Sequence, residues 1–108
     1  MDNGKNNRYE SIVKSVCKTV TDRFKEVYAS LDFGAYIEPQ DYFVTYVFAA
    51  DKELEEAAES GLTETIKAFH KSALEEKGYP PNGIKDCYFA SQEDCDRSFN
   101  GNWYYYYK

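Results

Sequence analysis

The chain has 108 residues, 43% hydrophobic, 30% charged and 18% aromatic, with 11 tyrosines and a net charge of −6. That length suits one domain that buries a core without a metal or disulfide framework. The acidic balance repels phosphate backbones and anionic lipid, and no apolar run approaches the roughly 20 residues of a membrane span, so neither nucleic acid nor membrane is expected as a partner.

Residues 1–7 are polar and read as a flexible N-terminus without the apolar stretch of a signal peptide, ahead of a single domain over 8–108. Three cysteines, Cys17, Cys87 and Cys95, are an odd number with no C-x-x-C spacing. That is the usage of a cytoplasmic protein with reduced thiols.

From Arg8 to Leu31 the apolar residues Ile12, Val13, Val16, Val20, Phe24, Val27, Tyr28 and Leu31 recur in steps of three and four, which predicts one long helix. Gly34 reads as its C-terminal stop. Ala35–Glu38 then reads as a short strand, and Glu38-Pro39-Gln40-Asp41 as a turn. Tyr42 to Ala50 is almost wholly β-branched and aromatic, the strongest strand in the chain, joined to the first through a hairpin at Pro39. Both faces of this strand are apolar, so it is expected to be central, with any uncovered face used as an interface.

Asp51 is the expected N-cap of an acid-rich helical region that runs to Gly78, broken near Gly61 and best formed from about Thr63 to Lys77. Pro80-Pro81-Asn82-Gly83 makes a loop, and Ile84 to Ala90 a strand. Ser91-Gln92-Glu93-Asp94 resembles a capping box opening a short helix that ends at Asn100-Gly101. The terminal Asn102-Trp103-Tyr104-Tyr105-Tyr106-Tyr107 reads as a last strand, with Trp103, Tyr105 and Tyr107 on one face and Tyr104 and Tyr106 on the other. The expected fold is therefore α+β: a small mixed sheet of three or four strands with two main helices on one face, in the order α-β-β-α-β-short α-β. The connection between the Tyr42 and Ile84 strands passes through a helix, which predicts that they are parallel.

Residues that carry chemistry are sparse. His70 is the single histidine and reads as a helix-surface residue. Zinc needs several His/Cys ligands at close spacing, which are missing, so no metal and no cofactor are expected. Cys17 and Cys87 read as small core residues, and Cys95, near a helix start, as the most exposed thiol. The glutamates of residues 53–76 read as a solvated face, and no nucleotide-binding or hydrolase motif occurs. No catalytic residue is nominated.

The aromatic strands remain. Tyr42, Tyr46, Trp103, Tyr104 and Tyr106 are the candidate interface, because tyrosine and tryptophan carry much of the binding energy where proteins meet. The function read from these features is a small acidic, non-catalytic module for protein binding or homodimerisation. A basic partner is its specific version, and toxin-immunity proteins share that class of size and charge. The alternative is a small-molecule or enzymatic domain with a tyrosine-lined pocket between sheet and helices.

Overall fold

The computed structural model describes the backbone of residues 4–34, 38 and 40–103, with side chains from Tyr9 onward. The elements are α1 (Gly4–Arg23), β1 (Ala29–Gly34), β2 (Tyr42–Phe48), α2 (Asp51–Ser60), α3 (Leu62–Glu76), β3 (Tyr88–Ser91) and α4 (Gln92–Phe99). The fold is α+β, with a mixed sheet in the order β1-β2-β3 and β2 at its centre.

α1 begins at Gly4, earlier than expected, and buries Tyr9, Val13, Val16, Cys17 and Val20 on one stripe. It also ends eight residues short of Leu31. The Val27 N–H donates to Phe24 O at 3.0 Å, turning the chain, and the Tyr28 N–H donates to Val47 O at 2.7 Å. Ala29 to Gly34 then pair antiparallel with Val47 to Tyr42. Val27, Tyr28 and Leu31 fit a helical phase, but Ala29, Leu31 and Phe33 also fit a strand phase, and pairing with β2 decides between them. Tyr28, placed on the helical stripe by its spacing, is 64% exposed.

Gly34 is accordingly the last residue of β1 and not a helix stop. Its φ is +130°, and a Cβ there would lie 2.1 Å from Asp41 O and 2.7 Å from Tyr42 Cα. Only glycine admits that approach of two backbones. The strand expected at Ala35–Glu38 lies almost wholly outside the described residues. The turn after it is present: the Asp41 N–H donates to Glu38 O at 2.9 Å.

The side chains of β2 divide by parity. Tyr42, Val44, Tyr46 and Phe48 face α1 and α3 and join Val13, Val16, Val20, Ile66 and Leu74 in one core. Burying each such aliphatic side chain contributes about 1.5–3 kcal/mol. The opposite face carries Phe43, Thr45 and Val47, with Phe33 stacked on Phe43 at 4.9 Å and Tyr88 edge-on to it at 5.8 Å.

The helical region breaks where expected. Gly61 has φ +87° and separates α2 from α3. Asp51, however, is the first residue of α2 and Ala50 holds the cap position, where its N–H donates to Glu53 Oε1 at 3.1 Å. β2 and β3 are parallel, from Thr45 opposite Tyr88 to Phe48 opposite Ser91. β3 starts later than the expected Ile84, because residues 84–87 leave a 3-10 turn at Pro81–Gly83 without pairing. Ser91 caps α4 by accepting the Asp94 N–H at 3.0 Å, and Asn100 and Gly101 close it with φ of 55° and 78°. The expected final strand falls mostly outside the described residues. Trp103, its one described aromatic, has helical backbone.

Candidate functional site

A chain of three buried polar side chains crosses the helix–sheet layer. His70 is fully buried on α3, in step with Ile66 and Leu74 and not on the helix surface where its neighbours suggested. Its Nδ1 lies 2.8 Å from Tyr46 Oη, and the Tyr46 hydroxyl also interacts with the Cys17 thiol on α1. The tyrosine ring also meets the imidazole edge-on at 5.5 Å. Burial holds the His70 pKa down to about 4; Asp86 opposes that shift and Lys71 adds to it. The same burial raises Tyr46 and pushes Cys17 up to about 11 and Cys87 up to about 12. Neutral, enclosed groups of this kind stitch elements together. They are not exposed nucleophiles.

A second polar network fastens α4 to α2. Ser91 Oγ donates to Asp51 Oδ1, and Arg97 reaches both Asp51 Oδ2 at 3.1 Å and Asp94 Oδ1 at 2.6 Å. The Asp51 N–H donates to Glu93 Oε1 at 2.9 Å, and the Glu93 N–H to Ala49 O at 3.1 Å. The Ser91 hydroxyl and then Arg97 hold the Asp51 carboxyl below its ordinary pKa. Cys95, on the same helix, has no exposure, which corrects its reading as the accessible thiol. Desolvation, followed by Asp96 and Asp94, raises its pKa.

The open site lies elsewhere. A concavity of about 320 Å³ forms where the α1–β1 turn meets the end of β2 and the α2–α3 corner. Half-buried Leu62 is its accessible apolar lining, with Phe48 and Ala57 buried behind it, and Glu26, Glu53 and Glu56 supply its carboxylates. Glu53 holds the Ala50 N–H, and among the described residues none of the three carboxylates has an ion-pair partner. Exposed carboxylates beside a partly accessible leucine suit a side chain with an aliphatic stem and a cationic head. No cluster of potential metal ligands occurs among the described residues, and no described helix is long and apolar enough to cross a membrane.

The nominated aromatics separate in space. Tyr42 and Tyr46 face the helices at 2% and 0% exposure, so neither ring is presented to a partner in this fold. Their parity with Val44 and Phe48 places them in the core. Trp103 is half-buried and its indole N–H donates to Gln92 Oε1 at 3.2 Å. Tyr104 and Tyr106 lie outside the described residues. Comparison with protein-family models, curated proteins and solved structures gave no match.

Proposed function

We propose that this protein is a small, acidic, non-catalytic binding module whose partner is a basic protein, engaged at the concavity of Glu26, Glu53 and Glu56. The observation that carries this reading is the grouping, at one concavity beside Leu62, of three carboxylates without an ion-pair partner among the described residues, on a chain of net charge −6. Charge of this kind steers a basic partner to the surface, where Leu62 offers an apolar contact. A cytoplasmic setting accords with three free cysteines. Neutralisation of a basic toxin is the narrowest version of the proposal.

The tyrosine-lined pocket has less support. Tyr79 meets Tyr9 and Tyr42 edge-on at 5.6 and 5.4 Å, Tyr46 is bonded to His70, and no described tyrosine lines the concavity.

A hexa-arginine peptide titrated into the labelled protein and followed by NMR tests the reading. Shifts should concentrate at Phe48, Ala57 and Leu62, weaken with salt, and vanish in Glu53→Gln/Glu56→Gln. Shifts spread evenly over the acidic helices, or none, would refute it. Light scattering of the free chain tests the homodimer version, which a monomer at millimolar concentration would eliminate.

A further inference from the structure

We propose that His70 is an acid-sensitive latch: protonation of its imidazole weakens the hold of α3 on the sheet, so that the stability of the domain falls under acidic conditions. The argument begins with hydrogen-bond capacity. Neutral histidine has one donor and one acceptor nitrogen, and His⁺ has two donors. Nδ1 is engaged by Tyr46, whereas Nε2 is buried without a partner among the described residues. In either neutral tautomer, Nε2 is the unsatisfied atom.

Protonation turns both nitrogens into donors. Tyr46 Oη must then accept from Nδ1, and its own proton has only the Cys17 sulfur, a weak acceptor, to go to. The Nε2–H would remain a charged donor with no acceptor among the described residues, which burial makes costly.

The groups around the ring give little relief. β2 contributes Tyr46, α1 contributes Cys17 through that tyrosine, and Cys87 acts on the same tyrosine from the segment before β3. Asp86 in that segment attracts the imidazolium, but its carboxylate is exposed and paired with Lys71 Nζ at 3.0 Å. Lys71, on α3 itself, repels it.

The sign follows from linkage. The folded-state pKa is depressed from 6.5 to about 4. The unfolded chain therefore takes up a proton near pH 6.5 while the folded chain stays neutral, so His70's stabilisation is complete above that pH and lost as pH falls toward 4. The unfolding equilibrium constant should rise up to tenfold per pH unit in this window, by about 150-fold in all at pH 4 from this group.

As the only histidine, His70 gives an unambiguous imidazole NMR signal. In the intact wild-type chain the folded-state signal should keep its neutral chemical shift between pH 7.5 and 5. In parallel, urea unfolding of His70→Gln should lose the part of the pH 6.5–4 dependence that the histidine supplies. A folded-state signal titrating near pH 6.5, or a folded His70→Gln that keeps the full wild-type dependence, would overturn the proposal. The NMR titration decides alone if that variant does not fold.

Discussion

Removing one oxygen atom from the core tests how much the buried polar chain contributes. Tyr46→Phe keeps a fully buried ring and deletes only the hydroxyl 2.8 Å from His70 Nδ1. Two costs follow: the hydrogen bond itself, roughly 0.5–1.5 kcal/mol net, and the desolvation of a histidine nitrogen left alone, roughly 1–3 kcal/mol. These overlap, because the second is what the first had been offsetting, and a total of about 2 kcal/mol is expected. For a domain of this size that lowers Tm by roughly 8 °C. His70→Leu leaves the converse orphan, the tyrosine hydroxyl, with Cys17 as its remaining partner. The double variant has no orphan at either position, so it should cost less than the two single losses together, with a coupling of about 1–2 kcal/mol. Urea unfolding at pH 7.5, followed by far-ultraviolet circular dichroism, measures all four proteins while the histidine is neutral. Strictly additive losses, or a Tyr46→Phe effect below about 0.5 kcal/mol, would refute the reasoning.

Other elements make separate predictions. Ser91→Ala should cost about 1 kcal/mol through loss of the α4 cap alone, and more because Asp51 loses its hydroxyl partner; thermal unfolding reads this directly. Gly61→Ala meets no atom within 4 Å, so left-handed strain of about 1 kcal/mol should be its whole effect. Gly34→Ala adds an overlap with the Asp41 carbonyl and should cost at least about 3 kcal/mol, visible as the difference between the two unfolding midpoints. Cys17, Cys87 and Cys95 should resist alkylation by iodoacetamide at pH 8 in the folded chain and react in urea, because burial raises all three thiol pKa values. Mass spectrometry counts the adducts, and rapid native labelling of Cys95 would contradict its placement.

Much of this fold was legible because local and tertiary preferences agree. The β-branched and aromatic run of β2, the break at Gly61 and the cap at Ser91 are each signalled by residues acting within their own element. Legibility fails where an element's fate depends on a remote partner. Residues 27–31 satisfy two periods, and only β2 alongside selects the strand. His70 lies four residues from both Ile66 and Leu74, a signal present in the sequence. Its polarity and the competing stripe through Phe69 and Ala73 conceal that signal, because histidine is found about equally readily inside and outside. The helix start beside Cys95 suggests exposure, whereas the folded chain buries its side chain completely. The concavity had no sequence signal. Glu26 is remote from Glu53 and Glu56 along the chain, and the hairpin brings them to one rim.

The division of polar groups is what separates stability from binding in this molecule. Cys17, Tyr46, His70 and Ser91 are enclosed, and all but one nitrogen among them is committed to a neighbour. Chemistry at those groups would require the domain to open first. Arg97 is likewise engaged by two carboxylates and is not free to neutralise the concavity. The carboxylates of Glu26 and Glu56, by contrast, stand exposed at the concavity without an ion pair among the described residues. Mutual repulsion among neighbouring carboxylates does not help the fold, and an arriving cation relieves it. A substitution at Glu26 or Glu56 should therefore leave stability nearly unchanged, within about 0.5 kcal/mol, while weakening capture of a basic peptide. A substitution at Tyr46 should do the reverse. If Glu56→Gln destabilised the chain as strongly as Tyr46→Phe, the concavity would be part of the scaffold and the proposed division between scaffold and binding surface would fail.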